Sequence, residues 1–138
     1  MVCMTRGRPR SHLALCLIAL TALVLPLTAR ADDGGDRADV RVERSCTVQS
    51  TVRLRVRSED KGVLRVELDV RTPRRGTRWA VSVVHERRLA WRATRRTSSG
   101  AFSVRFTIPD WPGHDTVVAR AVGPLGEVCR AAATVGAG

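Results

Sequence analysis

The chain has 138 residues, four cysteines, three histidines, and 24 lysines and arginines against 13 acids, for a formal net charge of +11. That length leaves room for one modest core and excludes a second domain. So few histidines leave little material for acid–base or metal chemistry.

Residues 1–31 read as a secretory signal. Arg6, Arg8 and Arg10 form a basic start, residues 13–25 an uncharged apolar run, Pro26 breaks it, and Ala29-Arg30-Ala31 gives a small-x-small cleavage pattern. Cleavage is expected after Ala31. The competing reading is an uncleaved anchor, but the uncharged run of residues 13–29 falls short of the roughly 20 residues a membrane span needs. No stable membrane span is therefore expected after cleavage. Leu15 before Cys16 does not fit a lipoprotein signal, and Gly7 and Pro9 separate the arginines that a twin-arginine signal would need side by side. The expected localisation is secreted, by the general route.

Removing 31 of 138 residues leaves 107; four arginines go with them, so 20 basic residues face 13 acids and the net charge is +7. Lys61 is the only lysine, and the Arg, Ala and Val bias resembles that of a high-GC bacterial genome. Cys3 and Cys16 leave with the signal. Cys46 and Cys129 remain, an even pair in an oxidising compartment, and one disulfide is expected. Residues 32–44 are polar and mixed in charge. They read as a disordered mature N-terminus that joins the first strand only late, near Val40 or Val42, ahead of a β domain at 45–138.

The stretch 46–71 organises the rest. Val48, Val52, Leu54 and Val56 share one parity, as do Leu64, Val66, Leu68 and Val70, with charged residues between them. This alternation predicts two strands, each with one face on a core and one in water. Ser58 to Gly62 is the expected turn, in a register where positions summing to 120 face each other. Val56 then meets Leu64, Arg53 meets Glu67 and Arg55 meets Arg65. Residues 72–77 form a loop. Residues 79–85 and 89–94 form a second hairpin, with a three-residue turn at Glu86-Arg87-Arg88 that pairs Val83 with Trp91 and Val81 with Ala93. Residues 101–108 alternate again, 109–115 are a rigid turn region, and 116–122 read as a central strand buried on both sides. Residues 123–127 turn the chain into a last strand at 128–135, with Cys129, Ala131, Ala133 and Val135 on one parity.

Seven short strands without an amphipathic helix outside the signal predict an all-β protein, an antiparallel β-sandwich. Over about residues 45–136 the pattern resembles small secreted immunoglobulin-like or fibronectin type III-like sandwiches of high-GC bacteria. That resemblance implies that Trp79 is the core tryptophan of the third strand. It also implies that the first and seventh strands run side by side and parallel, so that Cys46 and Cys129, at the start of each, come within bonding distance. Immunoglobulin domains bridge their second and sixth strands instead, so no recognition loop is carried over.

Candidate chemistry is sparse. Ser98, Ser99, His114 and Asp115 could be cast as a hydrolytic triad, but no nucleophile-elbow glycines surround either serine. His85, Glu86, Asp110, His114 and Asp115 are the one conceivable metal set, and two distant loops would have to meet to form it. No cofactor and no catalysis are expected. Trp111, between two prolines, is the plausible exposed aromatic, and with His114 marks a possible ligand loop; it reads more readily as a cover folded over the sandwich end. Arg53, Arg55, Arg57, Arg65 and Arg71 share the water-facing side of the first hairpin. They form the candidate anion-binding face, and anionic cell-envelope polymers are the expected partners. Specific nucleic-acid binding is not expected, because no recognition helix or exposed aromatic platform accompanies the arginines. The leading expectation is a monomeric, secreted, non-enzymatic binding or envelope-associated module. The alternatives are a small-ligand carrier with an end cleft at Trp111 and His114, and a protease inhibitor presenting Arg74-Arg75 or Arg87-Arg88.

Overall fold

The computed structural model describes residues 38–136. The expected signal, its expected cleavage site and residues 32–37 lie outside the described residues. The described chain forms eight strands: β1 (Asp39–Ser45), β2 (Thr51–Glu59), β3 (Val63–Arg71), β4 (Arg78–His85), β5 (Arg88–Arg96), β6 (Ala101–Pro109), β7 (Asp115–Val122) and β8 (Val128–Val135). They make two four-stranded antiparallel sheets, ordered β1-β2-β3-β6 and β5-β4-β7-β8.

The core lies between the sheets and comes from the alternating sets. Val52, Leu54, Val56, Leu64, Val66, Leu68 and Val70 line one wall; Trp79, Val81, Val83, Val117, Ala119, Ala121, Ala131 and Val135 line the other. Each fully buried Val or Leu contributes about 1.5–3 kcal/mol of transfer free energy. Trp79 meets Phe102 across the sheets at a centroid distance of 6.1 Å, and its indole N–H donates to Thr77 Oγ1 at 3.1 Å. A side chain at Gly123 would place its Cβ 2.6 Å from the Trp79 ring, so the turn after β7 needs glycine for that ring to lie flat. Where the edge strands β5 and β6 flank the open side, Trp91 stacks on Phe106 at 5.4 Å.

Several sequence expectations are corrected. Eight strands form rather than seven, because Asp39–Ser45, expected within a disordered N-terminus, pairs along β2. Its backbone bonds come from the β2 edge, and Val40 and Val42 pack on the core, so a weakly apolar stretch is held by its neighbour. Cys46 therefore follows a strand rather than opening one, and Val48 is not on the core face; it is 59% exposed. The β2–β3 register is also shifted by two: Val56 faces Val66, Leu54 faces Leu68 and Val52 faces Val70. The strand runs on to Glu59, and the turn tightens to Asp60-Lys61-Gly62, with Lys61 and Gly62 at φ 72° and 66°. A two-residue shift keeps the apolar sets on the same face, so alternation alone does not distinguish the two registers.

The β4–β5 hairpin reconciles two readings. Val83 does face Trp91, and Val81 faces Ala93. Yet the turn has two residues, Glu86 and Arg87, both at positive φ, and His85 faces Arg88; a bulge between Val83 and Val84 absorbs the odd residue. Glu86 is held in this turn by its backbone N–H donating to Thr116 O at 3.1 Å, and by its carboxylate accepting the Thr116 N–H at 2.5 Å. Finally, β7 is a central strand but is not buried on both sides. It alternates, with Val117, Ala119 and Ala121 inside and Arg120 exposed.

Candidate functional site

The Cys46–Cys129 disulfide is present, with a Cα–Cα distance of 4.3 Å. It pins the β1–β2 connection to the start of β8. Thr47 N–H donates to Val128 O at 2.9 Å, and Val128 N–H donates to Thr47 Oγ1 at 2.9 Å. One carboxylate oxygen of Glu127, a residue to which the sequence pattern assigns no role, accepts the N–H groups of Gln49 at 3.0 Å and Ser50 at 2.9 Å. β2 and β8 both begin beside this staple but belong to different sheets, so the expected pairing of a first strand opened by Cys46 with the last strand does not form.

Burial alone would push the Glu127 carboxyl up, but the Ser50 and Gln49 N–H groups and the Arg74 charge outweigh it and hold the group below its ordinary 4.5. Its stabilisation is therefore present above the unfolded value and lost as pH falls through the lower folded value. Glu127→Gln is expected to cost about 1.5–3 kcal/mol at pH 7, the usual worth of hydrogen bonds to a charged group. The gap from wild type should narrow as the pH drops below 4, measured by urea unfolding at several pH values. A gap that is unchanged between pH 7 and pH 3 would contradict this account.

The five arginines of the predicted anion face do share the water-facing side of β2 and β3, but their neighbours differ from the expectation. Arg53 lies opposite Asp69 and Glu43, Arg55 opposite Glu67 and Arg41, and Arg57 opposite Arg65. The expected Arg55–Arg65 pair does not form. Four of the five are matched by carboxylates. Arg53 Nε meets Glu43 at 3.2 Å; Arg55 bonds Asp39 through Nε at 2.8 Å and lies 3.8 Å from Glu67; Arg57 meets Glu59 at 3.3 Å, and Arg65 meets the same carboxylate at 2.5 Å. The bonds to Arg55 and Arg65 hold the Asp39 and Glu59 carboxyls below their ordinary values. Arg71 is exposed at the end of β3, with no ion pair among the described residues. This face is a charge network that largely closes on itself.

The outer side of β5-β4-β7-β8 is different. Arg78, Arg92, Arg96, Arg120 and Arg130 take the outward parity of its strands, whereas Arg88 and Arg95 lie opposite the buried His85 and Trp79; the one carboxylate on these strands, Asp115, is buried at 1% exposure. The repulsive, uncompensated basic surface lies here, on the sheet opposite the predicted one.

The far end of the sandwich gathers the remaining candidates. His85 is 3% exposed, and its Nε2 is hydrogen-bonded to Asp115 Oδ1. Asp115 Oδ2 accepts the Trp111 N–H at 3.0 Å. The Trp111 ring stacks on His85 at 4.4 Å, with Arg88 5.8 Å from its centre on β5. Burial and the adjacent Asp115 carboxyl push Asp110 up. Trp111 thus folds back over the sandwich end, at 37% exposure. His114 is exposed and borders an open cleft of about 460 Å³ with Glu86, Arg88, Trp111, Pro112 and Asp115. Glu86, Asp110, His114 and Asp115 do come to one end with His85, but among the described residues no three of them form a group able to hold a metal ion. Ser98 and Ser99 sit beyond β5 at the disulfide end, a strand's length from His114 and Asp115, so no triad assembles. What this end does chemically is plug itself: a histidine, a carboxylate and an indole satisfy one another. No family model, curated protein or solved structure matches the chain.

Proposed function

We propose that this chain is a secreted, non-enzymatic β-sandwich of the immunoglobulin or fibronectin type III-like kind that associates with the cell envelope by binding anionic polymers weakly, through charge. If β1 is set aside as an added edge strand, β2-β3-β6 faces β5-β4-β7-β8, a three-plus-four arrangement that supports the fibronectin type III-like reading. Trp79 on β4 supports it too, as the buried tryptophan of the third strand of that set. The disulfide and the signal-like residues 1–31 support secretion. Among the described residues no helix is long and apolar enough to cross a membrane.

One observation carries the binding reading: carboxylates offset the arginines of one sheet and leave those of the other unopposed. A flat, unopposed basic sheet draws polyanions by counterion release and long-range attraction rather than by shape. The carrier and inhibitor readings draw less support. Trp111 is committed to His85, and Arg87 occupies a left-handed turn position rather than the extended loop that a protease cleft accepts. The test is retention of the secreted protein on an immobilised polyphosphate matrix across a salt series. Retention at low salt that fades by physiological salt is expected, because exposed charges are screened within about 8 Å at 0.15 M. No retention at low salt would overturn the reading, as would retention that ignores salt.

A further inference from the structure

The unopposed sheet is more than a surplus of charge, because its register places the arginines in a line. Arg92 on β5 faces Ser82 on β4, Ser82 faces Arg120 on β7, and Arg120 faces Arg130 on β8. All four residues share the outward parity, and the row crosses the sheet perpendicular to its strands. Adjacent strands lie about 4.8 Å apart, so the row spans roughly 14 Å with its guanidinium groups raised to one side. Arg78 and Arg96 face each other near the disulfide end and extend the same outer surface. Arg92, Arg120 and Arg130 are exposed, and none has an ion-pair partner among the described residues.

We infer that this row is a binding site for linear phosphate polymers, with Arg92, Arg120 and Arg130 each donating a guanidinium fork to phosphates along one chain. The inference rests on the reading above and names the face and the ligand chemistry. Three physical points carry it. First, Arg120 and Arg130 are directly opposed like charges, which costs stability unless an anion lies between them. On the other sheet the corresponding Arg57–Arg65 opposition is relieved internally by Glu59, which both arginines bond; here no carboxylate among the described residues bonds Arg120 or Arg130. Second, the arginines rise from an apolar floor. On the same outward parity Arg120 is flanked by Val118 and Val122 on its own strand, with Val84, Ala80, Val128 and Ala132 on the strands beside it. Such a floor holds less water than a polar one and strengthens the fork's hold on a phosphate. Third, the arginines lie in one line across neighbouring strands, which suits a repeating charge on an extended polymer. Guanidinium forks match the paired oxygens of phosphate two at a time, which an ammonium does not. Ser82 sits in the gap of the row and offers a hydroxyl donor between Arg92 and Arg120.

The experiment compares three purified variants with wild type for binding to long-chain inorganic polyphosphate at several salt concentrations. Arg92→Ser/Arg120→Ser/Arg130→Ser is expected to weaken binding at least tenfold and to flatten the salt dependence, since each lost phosphate contact removes about 0.7–0.9 from the log–log slope of a nucleic-acid-like polyanion. Arg53→Ser/Arg55→Ser/Arg57→Ser removes the same charge from the other sheet and should stay within about threefold of wild type. Arg92→Lys/Arg120→Lys/Arg130→Lys keeps the charge but loses the forks; a several-fold loss with the salt slope retained is expected. The three positions are exposed, so thermal unfolding should show all ladder variants folded. Equal losses from the two serine triples would show that net charge alone acts and would overturn the inference. So would an unchanged affinity in the lysine variant, or tighter wild-type binding to single-stranded DNA, to a sulfated polysaccharide or to anionic lipid vesicles than to polyphosphate. If wild type binds none of these at low salt, the functional reading itself fails. If it binds and the ladder variant binds equally well, only the assignment of the face fails.

Discussion

Replacing Cys46 and Cys129 together by alanine is expected to lower the melting temperature by about 20 °C or more. The bond closes a loop with a sequence separation of 83 residues. The chain-entropy relation gives roughly 4–5 kcal/mol for a loop of that length, and a domain of this size loses about 4–8 °C per kcal/mol. The loss is a large fraction of what a small domain possesses. It should not be confined to the edge, because the disulfide, the Thr47–Val128 bonds and the Glu127 carboxylate all act on one connection. Thermal unfolding of the double variant, with reduced wild type beside it, checks this. A shift below 5 °C in both would show that the staple is redundant with the core.

Leu54→Asp is expected to abolish folding. Leu54 is fully buried and faces Leu68 and Val42 on the flanking strands. An unpaired carboxylate there costs well beyond the 0.5–3 kcal/mol of ordinary substitutions, on the order of the whole stability. Thr107→Asp is the matched control. Thr107 is exposed on β6 opposite Arg65, so a carboxylate there should change stability by no more than about 0.5 kcal/mol. Arg55→Asp would be a poor control, because Arg55 is held between Asp39 and Glu67, and reversing it would set three carboxylates together. Circular dichroism and yield of soluble protein separate the two outcomes. A folded Leu54→Asp variant would mean that the inward face of β2 is misassigned.

The inward faces were legible because alternation is a local signal: in β2, β3, β4, β6 and β8 the buried set follows the parity read from the sequence, whereas the apolar run of β7 hid its alternation. Register was less legible. A shift of two residues preserves every face, and only turn geometry at Asp60-Lys61-Gly62 selects between the alternatives. The extra strand β1 was hidden because its bonds come from the edge of β2 rather than from its own composition. The bulge at Val83/Val84 likewise let a two-residue turn satisfy a parity that seemed to require three. These errors decided the site. With the wrong register, Arg55 and Arg65 looked like an unrelieved pair, whereas Glu43 and Asp39, on the strand not foreseen, reach Arg53 and Arg55. The row of Arg92, Ser82, Arg120 and Arg130 could not be read along the chain at all. It exists only across strands, and it depends on β4 lying beside β7, which no local pattern reveals.

On the proposed reading, one outer sheet face binds the polymer, and the end cleft and the first hairpin do not. The most direct measurement is an amide NMR titration of the isotope-labelled protein with polyphosphate at low salt. Shifts concentrated at Ser82, Arg92, Arg120, Arg130 and their neighbours on β4, β5, β7 and β8 are predicted, with Arg53 and Arg55 still. Shifts centred on β2 and β3, or on Trp111 and His114, would contradict it.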